Sequence, residues 1–291
     1  MTDPGTAKTE VLLEALPYMQ QFRGLTFLIK VGGSAMEDEE LLRSLLRDVV
    51  FLEAVGINPV IVHGGGKAIS QAMERKNLEP QWVSGLRVTD REAVRVVEET
   101  LGRVINPALV EMLRGLGGRA TGVPGKSVFQ ASRMSAQGAD GQVVSLGFVG
   151  QVEEVDPGLV DAVVQGEQVP VVTPLGNEPE TGATLNVNAD LAASALACEM
   201  RVTKLIYLSD VRGVLRNASQ EESLIPSIAQ GEIEGLIEKK VIQGGMIPKV
   251  RSASQALDAG VKKVHLIDGR IKHALLLEVF TDLGIGTEIV R

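Results

Sequence analysis

Two apolar runs of β type stop in clustered glycines. Phe27-Leu28-Ile29-Lys30-Val31 ends at Gly32-Gly33, Pro59-Val60-Ile61-Val62-His63 ends at Gly64-Gly65-Gly66, and a helical pattern follows each. Glycine lets backbone N–H groups turn toward a ligand without a Cβ in the way, and a helix start adds partial positive charge where those donors point. Each cluster is therefore a candidate anion seat, and two seats suit two anionic groups. Neither follows the commoner phosphate motifs. A Walker A loop needs Gly five positions before its Gly-Lys pair, but Ile61 stands there ahead of Gly66-Lys67, and Ala68 replaces the hydroxyl residue. The dinucleotide fingerprint, counted from Gly64, ends on Ile69 instead of glycine. Tight strand-to-helix turns would account for one cluster alone; two clusters, with Lys30 beside one, favour anion binding.

The rest of the chain bounds what such seats can serve. At 291 residues and 44% hydrophobic content the chain can bury a large α/β core, as one unit or two lobes. A formal net charge of -8 with no basic run argues against nucleic acid or an anionic membrane as partner, so positive charge at a site must be local. The single cysteine, Cys198, sits in an alanine-rich helical run and reads as a small core residue in a reducing compartment. No secretory or membrane-spanning pattern stands out, which points to the cytoplasm. The histidines His63, His265 and His273 lack a zinc-ligand spacing, and no protein-bound metal is expected.

The seats need strands and helices to hold them. Apolar residues at Leu41, Leu42, Leu45, Val49 and Leu52 predict a helix that crosses between the two glycine-ended strands. Further helices are expected from Gly66 to about Lys76, from Arg91 to Val104 with Thr89-Asp90 as cap, and after Pro107. Short β runs between Thr121 and Val155 suggest hairpins on the edge of a mainly parallel sheet. Val169 to Thr173 reads as a buried strand, with a loop from Asn177 to Gly182 and the lobe boundary near it. Beyond lie a helix Ala189 to Met200, a strand Lys204 to Leu208, a turn at Gly244-Gly245, a helix to about Ala259, a strand Lys263 to Ile267 and a last helix Lys272 to Leu283. Before the first strand, Val11, Leu12, Ala15, Leu16 and Met19 recur at helical spacing around Pro17, which should kink that helix or start a second piece.

Taken in order, Lys30-Val31-Gly32-Gly33-Ser34, His63-Gly64-Gly65-Gly66, Gly85-Leu86-Arg87-Val88-Thr89-Asp90, Asn186-Val187-Asn188-Ala189-Asp190, Ser209 through Leu215 and Gly244 through Lys249 resemble the amino acid kinase family. The likeness spans Leu25 to Arg291 and is nearest to the members that act on N-acetyl-L-glutamate. It implies an open αβα sandwich with a mainly parallel sheet: residues 25–177 bind the acyl amino acid, 178–291 bind MgATP, and 1–24 form a helix for oligomerisation. By resemblance Lys30 and Lys249 reach the phosphates from opposite lobes and Asp190 holds both. Gly64, Gly65, Gly66, Arg87, Asn186 and Asn188 fall on the acceptor side. Gly32, Gly33, Asp210, Gly213, Val214, Leu215 and Gly245 fall on the ATP side, with Mg²⁺ carried by the nucleotide. The implied reaction needs no base, because the acceptor carboxylate is already ionised at neutral pH.

The N-terminal helix resembles the extension of the arginine-inhibited, hexameric branch of that family, a trimer of dimers. The segment from His265 to Gly284 is similar to its L-arginine site, with Tyr18, Lys204, His265, Glu278 and Gly284 as candidates. The stretch Gly122-Val123-Pro124-Gly125-Lys126-Ser127 departs from the family pattern. Other readings stay open: a kinase for aminoadipate or glutamate tethered to an acidic carrier protein, whose basic mouth could draw on Lys126 and Arg133; a kinase for free glutamate or carbamate; or a non-catalytic ligand sensor.

Overall fold

A computed structural model describes residues 4–83, 86–137, 142–217, 219–281 and 284–291. Gly85 and the expected helix end at Leu283 lie outside the described residues, as does the side chain of Val11. Eight strands form one sheet: β1 (Thr26–Val31), β2 (Asn58–His63), β5 (Ala120–Val123), β8 (Val169–Val172), β11 (Lys204–Ser209), β12 (Ser227–Ala229), β13 (Lys263–Asp268) and β14 (Thr287–Val290). Their order is β12-β14-β13-β11-β1-β2-β8-β5, and the β13–β14 pairing alone among them is antiparallel. The sheet thus runs unbroken past the expected boundary near residue 177. β14 and β12 went unread because each is only three or four residues long.

Successive residues of β1 point to opposite faces: Leu28 joins one core cluster, while Phe27, Ile29 and Val31 join the other. A parallel sheet covered on both faces demands such near-continuous apolar runs. On the Leu28 face lie α6 (Gly158–Gln165), α7 (Ala189–Met200), α8 (Ile233–Glu238) and α9 (Met246–Asp258). On the other lie α2 (Glu39–Ala54), α5 (Asn106–Gly115), α10 (Ala274–Val279) and the end of α1 (Pro4–Phe22). The alternation places Lys30 on the Leu28 face, toward α7 and α9. His63 falls on the opposite face, toward α5.

Register brings the motifs to one edge. Val31 pairs with His63, and the Gly64 N–H donates to the Val31 carbonyl at 2.7 Å, so the two glycine clusters lie side by side. β11 flanks β1 on its other side, delivering Asp210 to the same rim. Ligands of open α/β sheets bind at such carboxyl ends, where strand order diverges.

Three expectations are corrected. The run Thr121 to Val155 holds the expected hairpin, β6 (Phe129–Gln137) antiparallel to β7 (Val143–Val155), but not on the edge of the main sheet: it closes a four-stranded barrel with β9 (Leu175–Glu178) and β10 (Ala183–Val187). Part of the expected Asn177–Gly182 loop is therefore strand. Helix α4 (Arg91–Glu99) does not stop before Pro107 but continues through a π-helical turn, Thr100–Ile105, into α5. The wider turn carries the chain into α5 with Pro107, which lacks an N–H, in its first turn. Helix α1 runs as one element through Pro17. Tyr18 packs edge-on to Phe280 and Phe22 is buried, but Leu12, Leu13 and Leu16 are 63%, 61% and 43% exposed. The remaining elements are α3 (Gly66–Arg75), β3 (Gln81–Val83) and β4 (Leu86–Val88), the last two a small antiparallel pair.

Glycines in this frame differ sharply in tolerance. A Cβ on Gly125 would run into the Thr173 carbonyl and stand 2.6 Å from the Leu175 carbonyl, whereas one on Gly115 meets nothing within 4 Å. Gly125→Ala is expected to lower stability by about 3 kcal/mol in urea unfolding, and Gly115→Ala to raise it by about 0.5 kcal/mol. Equal effects would contradict this packing.

Candidate active site

Three charged side chains from β1, α7 and α9 meet above the rim. The Lys30 Nζ lies 2.9 Å from Asp190 Oδ1, and Lys249 Nζ donates to Asp190 Oδ2. Each is placed by its element. Lys30 is the last Leu28-face residue of β1. Asp190 stands in the first turn of α7, whose cap is Asn188: its side chain accepts from the N–H groups of Asp190 and Leu191 at 2.9 and 3.2 Å. Lys249 sits in the first turn of α9 just after Pro248, which occupies a position where no N–H is needed. Burial alone would push the Asp190 carboxyl up, but Lys30 and Lys249 outweigh it and hold it below the ordinary carboxylate range. The trio carries one net positive charge and keeps both ammonium groups aimed at one place.

Tyr207 supports this group and was missed in the sequence. It pairs with Lys30 in register, is fully buried, and places its ring centroid 5.8 Å from Lys249 Nζ. Its hydroxyl lies 3.4 Å from the Asp190 carbonyl and from Ser252 Oγ, and burial pushes the phenol up. The one signal available was a polar-tipped aromatic within an otherwise aliphatic strand.

The glycines do different work. Gly32 has extended backbone, φ -165°, and a Cβ there would meet the Lys30 ammonium, so a larger residue would push the tip of the lysine off its present path. Gly33 is left-handed at φ +68°, and its Cβ would stand 2.5 Å from Asp210 Oδ1. That same oxygen accepts from the Ser34 N–H at 2.8 Å and the Ser34 hydroxyl at 2.7 Å, tying the first glycine turn to the end of β11. At the second turn, among the described residues, neither the Gly65 nor the Gly66 N–H has a hydrogen-bond partner.

Two cavities flank the trio. The first, about 210 Å³, is lined by all six acceptor-side candidates (Gly64, Gly65, Gly66, Arg87, Asn186 and Asn188) together with Lys30 and Asp190. Arg87 is buried, stacks 4.4 Å from the Trp82 ring centroid, and donates to the Gly66 carbonyl at 2.9 Å and to Ser70 Oγ at 2.8 Å. Asn186 donates to Thr89 Oγ1 at 3.2 Å. The second cavity, about 440 Å³, holds Lys30, Lys249, Gly33, Asp210 and Gly245. Gly32 borders the first instead. Gly213, Val214 and Leu215 line neither among the described residues. Gly213 and Val214 pack on Thr287, which accepts from the Val214 N–H at 2.8 Å, and Leu215 bridges to Leu224.

The five regulatory candidates gather elsewhere. Lys204 Nζ lies 3.1 Å from His265 Nε2, His265 Nδ1 lies 2.6 Å from Glu278 Oε1, and Glu278 Oε2 accepts from the N–H groups of Ile285 and Gly286. Gly284 is left-handed beside Glu278; Phe22, stacked near Tyr18, lies 5.2 Å from Lys204 Nζ. Burial, then Lys263, lowers Lys204 to about 8; burial and the neighbouring Lys204 lower His265. Burial would raise Glu278, but His265 and the two amides hold it below the usual carboxylate range. Lys126 and Arg133, the candidates for a basic mouth, are instead paired with Glu98 and Glu178.

Residues 26–268 match the amino acid kinase family. The acetylglutamate kinase of Akkermansia muciniphila is 50% identical over 98% of this chain and 96% of its own length. That of Aquifex aeolicus is 47% identical over 97% of each chain. Among solved structures, N-acetylglutamate synthase from Neisseria gonorrhoeae complexed with coenzyme A and N-acetyl-glutamate aligns at a TM-score of 0.85 and 25% identity, over 97% of this chain and 63% of that one. The same synthase complexed with coenzyme A and L-arginine shares the fold at a TM-score of 0.81 and 23% identity, over 97% of this chain and 65% of that one. The chain belongs to the amino acid kinase family and groups with its acetylglutamate kinases; it is a kinase.

Behind the second glycine turn, His63 is fully buried and burial lowers it to about 4. The unfolded chain takes up this proton near pH 6.5 while the folded chain refuses it until about 4, so stability falls as pH drops through that window, by roughly 3 kcal/mol in all. Urea midpoints measured from pH 7 to 4 are expected to fall less steeply in His63→Gln. An unchanged slope would assign the effect to another group.

Proposed function

We propose that this member of the amino acid kinase family transfers the γ-phosphoryl group of ATP to the side-chain carboxylate of N-acetyl-L-glutamate, giving N-acetyl-L-glutamyl 5-phosphate and ADP in arginine biosynthesis. The observation that carries the reading is the Lys30–Asp190–Lys249 group set between two cavities, each bordered by a glycine turn. The carboxylate oxygen attacks the γ-phosphorus, the bond to the bridging oxygen breaks, and ADP leaves with the electron pair. Both reactants are anions, so the barrier is lowered chiefly by cations and N–H donors fixed where charge spreads over the equatorial oxygens. Lys30 and Lys249 supply the cations, and Asp190 keeps them aligned without acting as a base. The N–H groups of Gly65 and Gly66, without a partner among the described residues, supply donors on the acceptor side.

Arg87, with its plane fixed by Gly66, Ser70 and Trp82, is suited to grip the α-carboxylate, and Asn186 to bond the acetamido group. Asn188 borders the same cavity while capping α7. The nucleotide takes the larger cavity beside Asp210 and Gly245. Mg²⁺ arrives with the nucleotide as part of the substrate. Asp190 is committed to two lysines, so phosphate oxygens and water complete the ion's shell and the ion offsets phosphate charge. We place the enzyme in the cytoplasm; no described helix is long and apolar enough to cross a membrane.

L-Arginine is proposed as feedback inhibitor at the Lys204–His265–Glu278 cluster, its guanidinium toward Glu278 and its carboxylate toward Lys204. The exposed leucines of α1 are proposed to meet α1 of a second copy, building a trimer of dimers.

With wild-type protein, ATP and N-acetyl-L-glutamate, hydroxylamine is expected to trap an acyl phosphate, with far less from unacetylated glutamate. No hydroxamate would end this reading. Lys30→Ala and Lys249→Ala are each expected to lower kcat about a hundredfold or more. Deleting residues 1–16 removes the leucines yet keeps Tyr18 and Phe22; light scattering is expected to show mass falling from six chains to two, with weaker arginine inhibition. An unchanged mass and response would overturn the role given to α1.

A further inference from the structure

We propose that His63 is a positioning residue that holds the Gly64–Gly65 peptide with its N–H turned into the phosphoryl-transfer site. The inference deepens the kinase reading above and rests on it for the identity of the anion that the N–H meets.

His63 ends β2 with its side chain wholly buried, on the sheet face opposite Lys30. Its Nδ1 lies 2.9 Å from the Gly64 carbonyl oxygen. A carbonyl only accepts, so Nδ1 must carry the hydrogen and Nε2 must be bare. The bare Nε2 lies 3.2 Å from Asn106 Nδ2, and the second hydrogen of that amide goes to the Val171 carbonyl at 2.8 Å. Both amide hydrogens are thereby assigned, the imidazole accepts one of them, and the tautomer is set by the chain from β8 through α5 to β2. Burial keeps the ring neutral down to about pH 4, so Nε2 retains its lone pair throughout the working range.

The consequence follows from peptide geometry. In a trans peptide the N–H points opposite to the C=O, and no peptide among the described residues is cis. With the Gly64 carbonyl drawn down to the buried imidazole, the Gly65 N–H faces the other way, toward the cavity that Lys30 shares, where among the described residues it has no partner. A peptide between two glycines is the one most free to rotate, since neither side has a Cβ. Rotated, it would offer a carbonyl oxygen to the transferring phosphoryl group. His63 supplies the restraint that the glycines lack, from a position that touches no substrate.

Two substitutions separate this role from a merely structural one. In His63→Asn the amide nitrogen stands near the place of Nδ1 and can still donate to Gly64. In His63→Gln the amide reaches the place of Nε2, keeping the Asn106 contact while leaving the Gly64 carbonyl unheld. His63→Gln is expected to lower kcat by about tenfold to a hundredfold with KM for both substrates within about threefold, the pattern of a donor used only in the transition state. His63→Asn is expected to stay within about threefold of wild type. Equal losses in the two variants, or losses that track their melting temperatures, would overturn the proposal. On the unaltered chain, ¹⁵N NMR of the imidazoles at pH 7 should show a histidine with Nδ1 protonated and Nε2 bare that disappears in His63→Asn, while that of His265, held in the same tautomer by Glu278 and Lys204, remains; the opposite tautomer for the signal lost would overturn it without reference to turnover. Wild-type acyl phosphate formation tests the kinase reading separately.

Discussion

One carboxylate held between two ammonium groups organises the rest of the molecule. Asp190 alone, buried at the start of α7, would be driven toward its neutral form, and Lys30, almost enclosed, would be left without a counter-charge. Together with Lys249 they offset one another's desolvation, leaving one positive charge in excess. Removing one partner of such a buried group strands the others, a much larger disturbance than the pair's own contribution to folding. The arrangement is therefore a charge store held ready for an anion, and its cost is met by the apolar faces on which it stands.

Those faces explain why three residues so far apart in the chain can be placed so closely. The period of two along β1 sends Lys30 to the same side as Leu28. The register of β11 then sets Tyr207 directly beside it. The first turns of α7 and α9 converge on this side, and each brings the positive end of its backbone dipole. On the other side of the sheet, β2, α5 and β8 form the purely neutral hydrogen-bond chain through His63 and Asn106. One face thus supplies charge and the other supplies orientation, and the glycine turns at the rim are where the two meet.

Much of this was legible in the sequence because local pattern and tertiary role agreed. β1, β2 and β11 are near-continuous apolar runs and α7 is an alanine-rich helical one, so the ends where Lys30, Asp190 and the glycines fall could be placed. The six acceptor-side candidates, which border one cavity, follow from the family resemblance of their motifs and not from local pattern. What escaped notice depends on contacts remote in sequence. The barrel of β6, β7, β9 and β10 joins segments separated by dozens of residues, and its strands resemble edge hairpins until they are closed. Family resemblance puts the turn at Gly213 on the nucleotide side, and its left-handed glycine lies in close approach to Thr287. Tyr207 and His63 each carry a polar group into an apolar strand, a weak signal when the partner, Asp190 or Asn106, is unknown. Pro107 read as a helix boundary because the π-helical turn that leads into it leaves no compositional trace.

Regulation, if it operates through the buried Lys204 cluster, has a short physical route to the chemistry. Lys204 opens β11 and Ser209 closes it, so the two ends are roughly 16 Å apart along one fully extended strand. At the far end Asp210 is bonded twice to Ser34, in the turn that begins with Gly32 and Gly33. A ligand shifts an equilibrium only by its difference in affinity for two arrangements, so a ligand at this cluster acts on the rim through β11 only by favouring a position of β11 and β13 in which that tie is altered. The cluster supplies a reason for such a difference. His265 and the Ile285 and Gly286 amides already satisfy Glu278. A guanidinium beside Glu278 competes with these donors for the same two oxygens, and the loop that carries the amides joins directly to β14, the antiparallel neighbour of β13. A guanidinium that took the place of those N–H groups at Glu278 would act first on β14 and β13, and β11 is the strand that joins β13 to the rim.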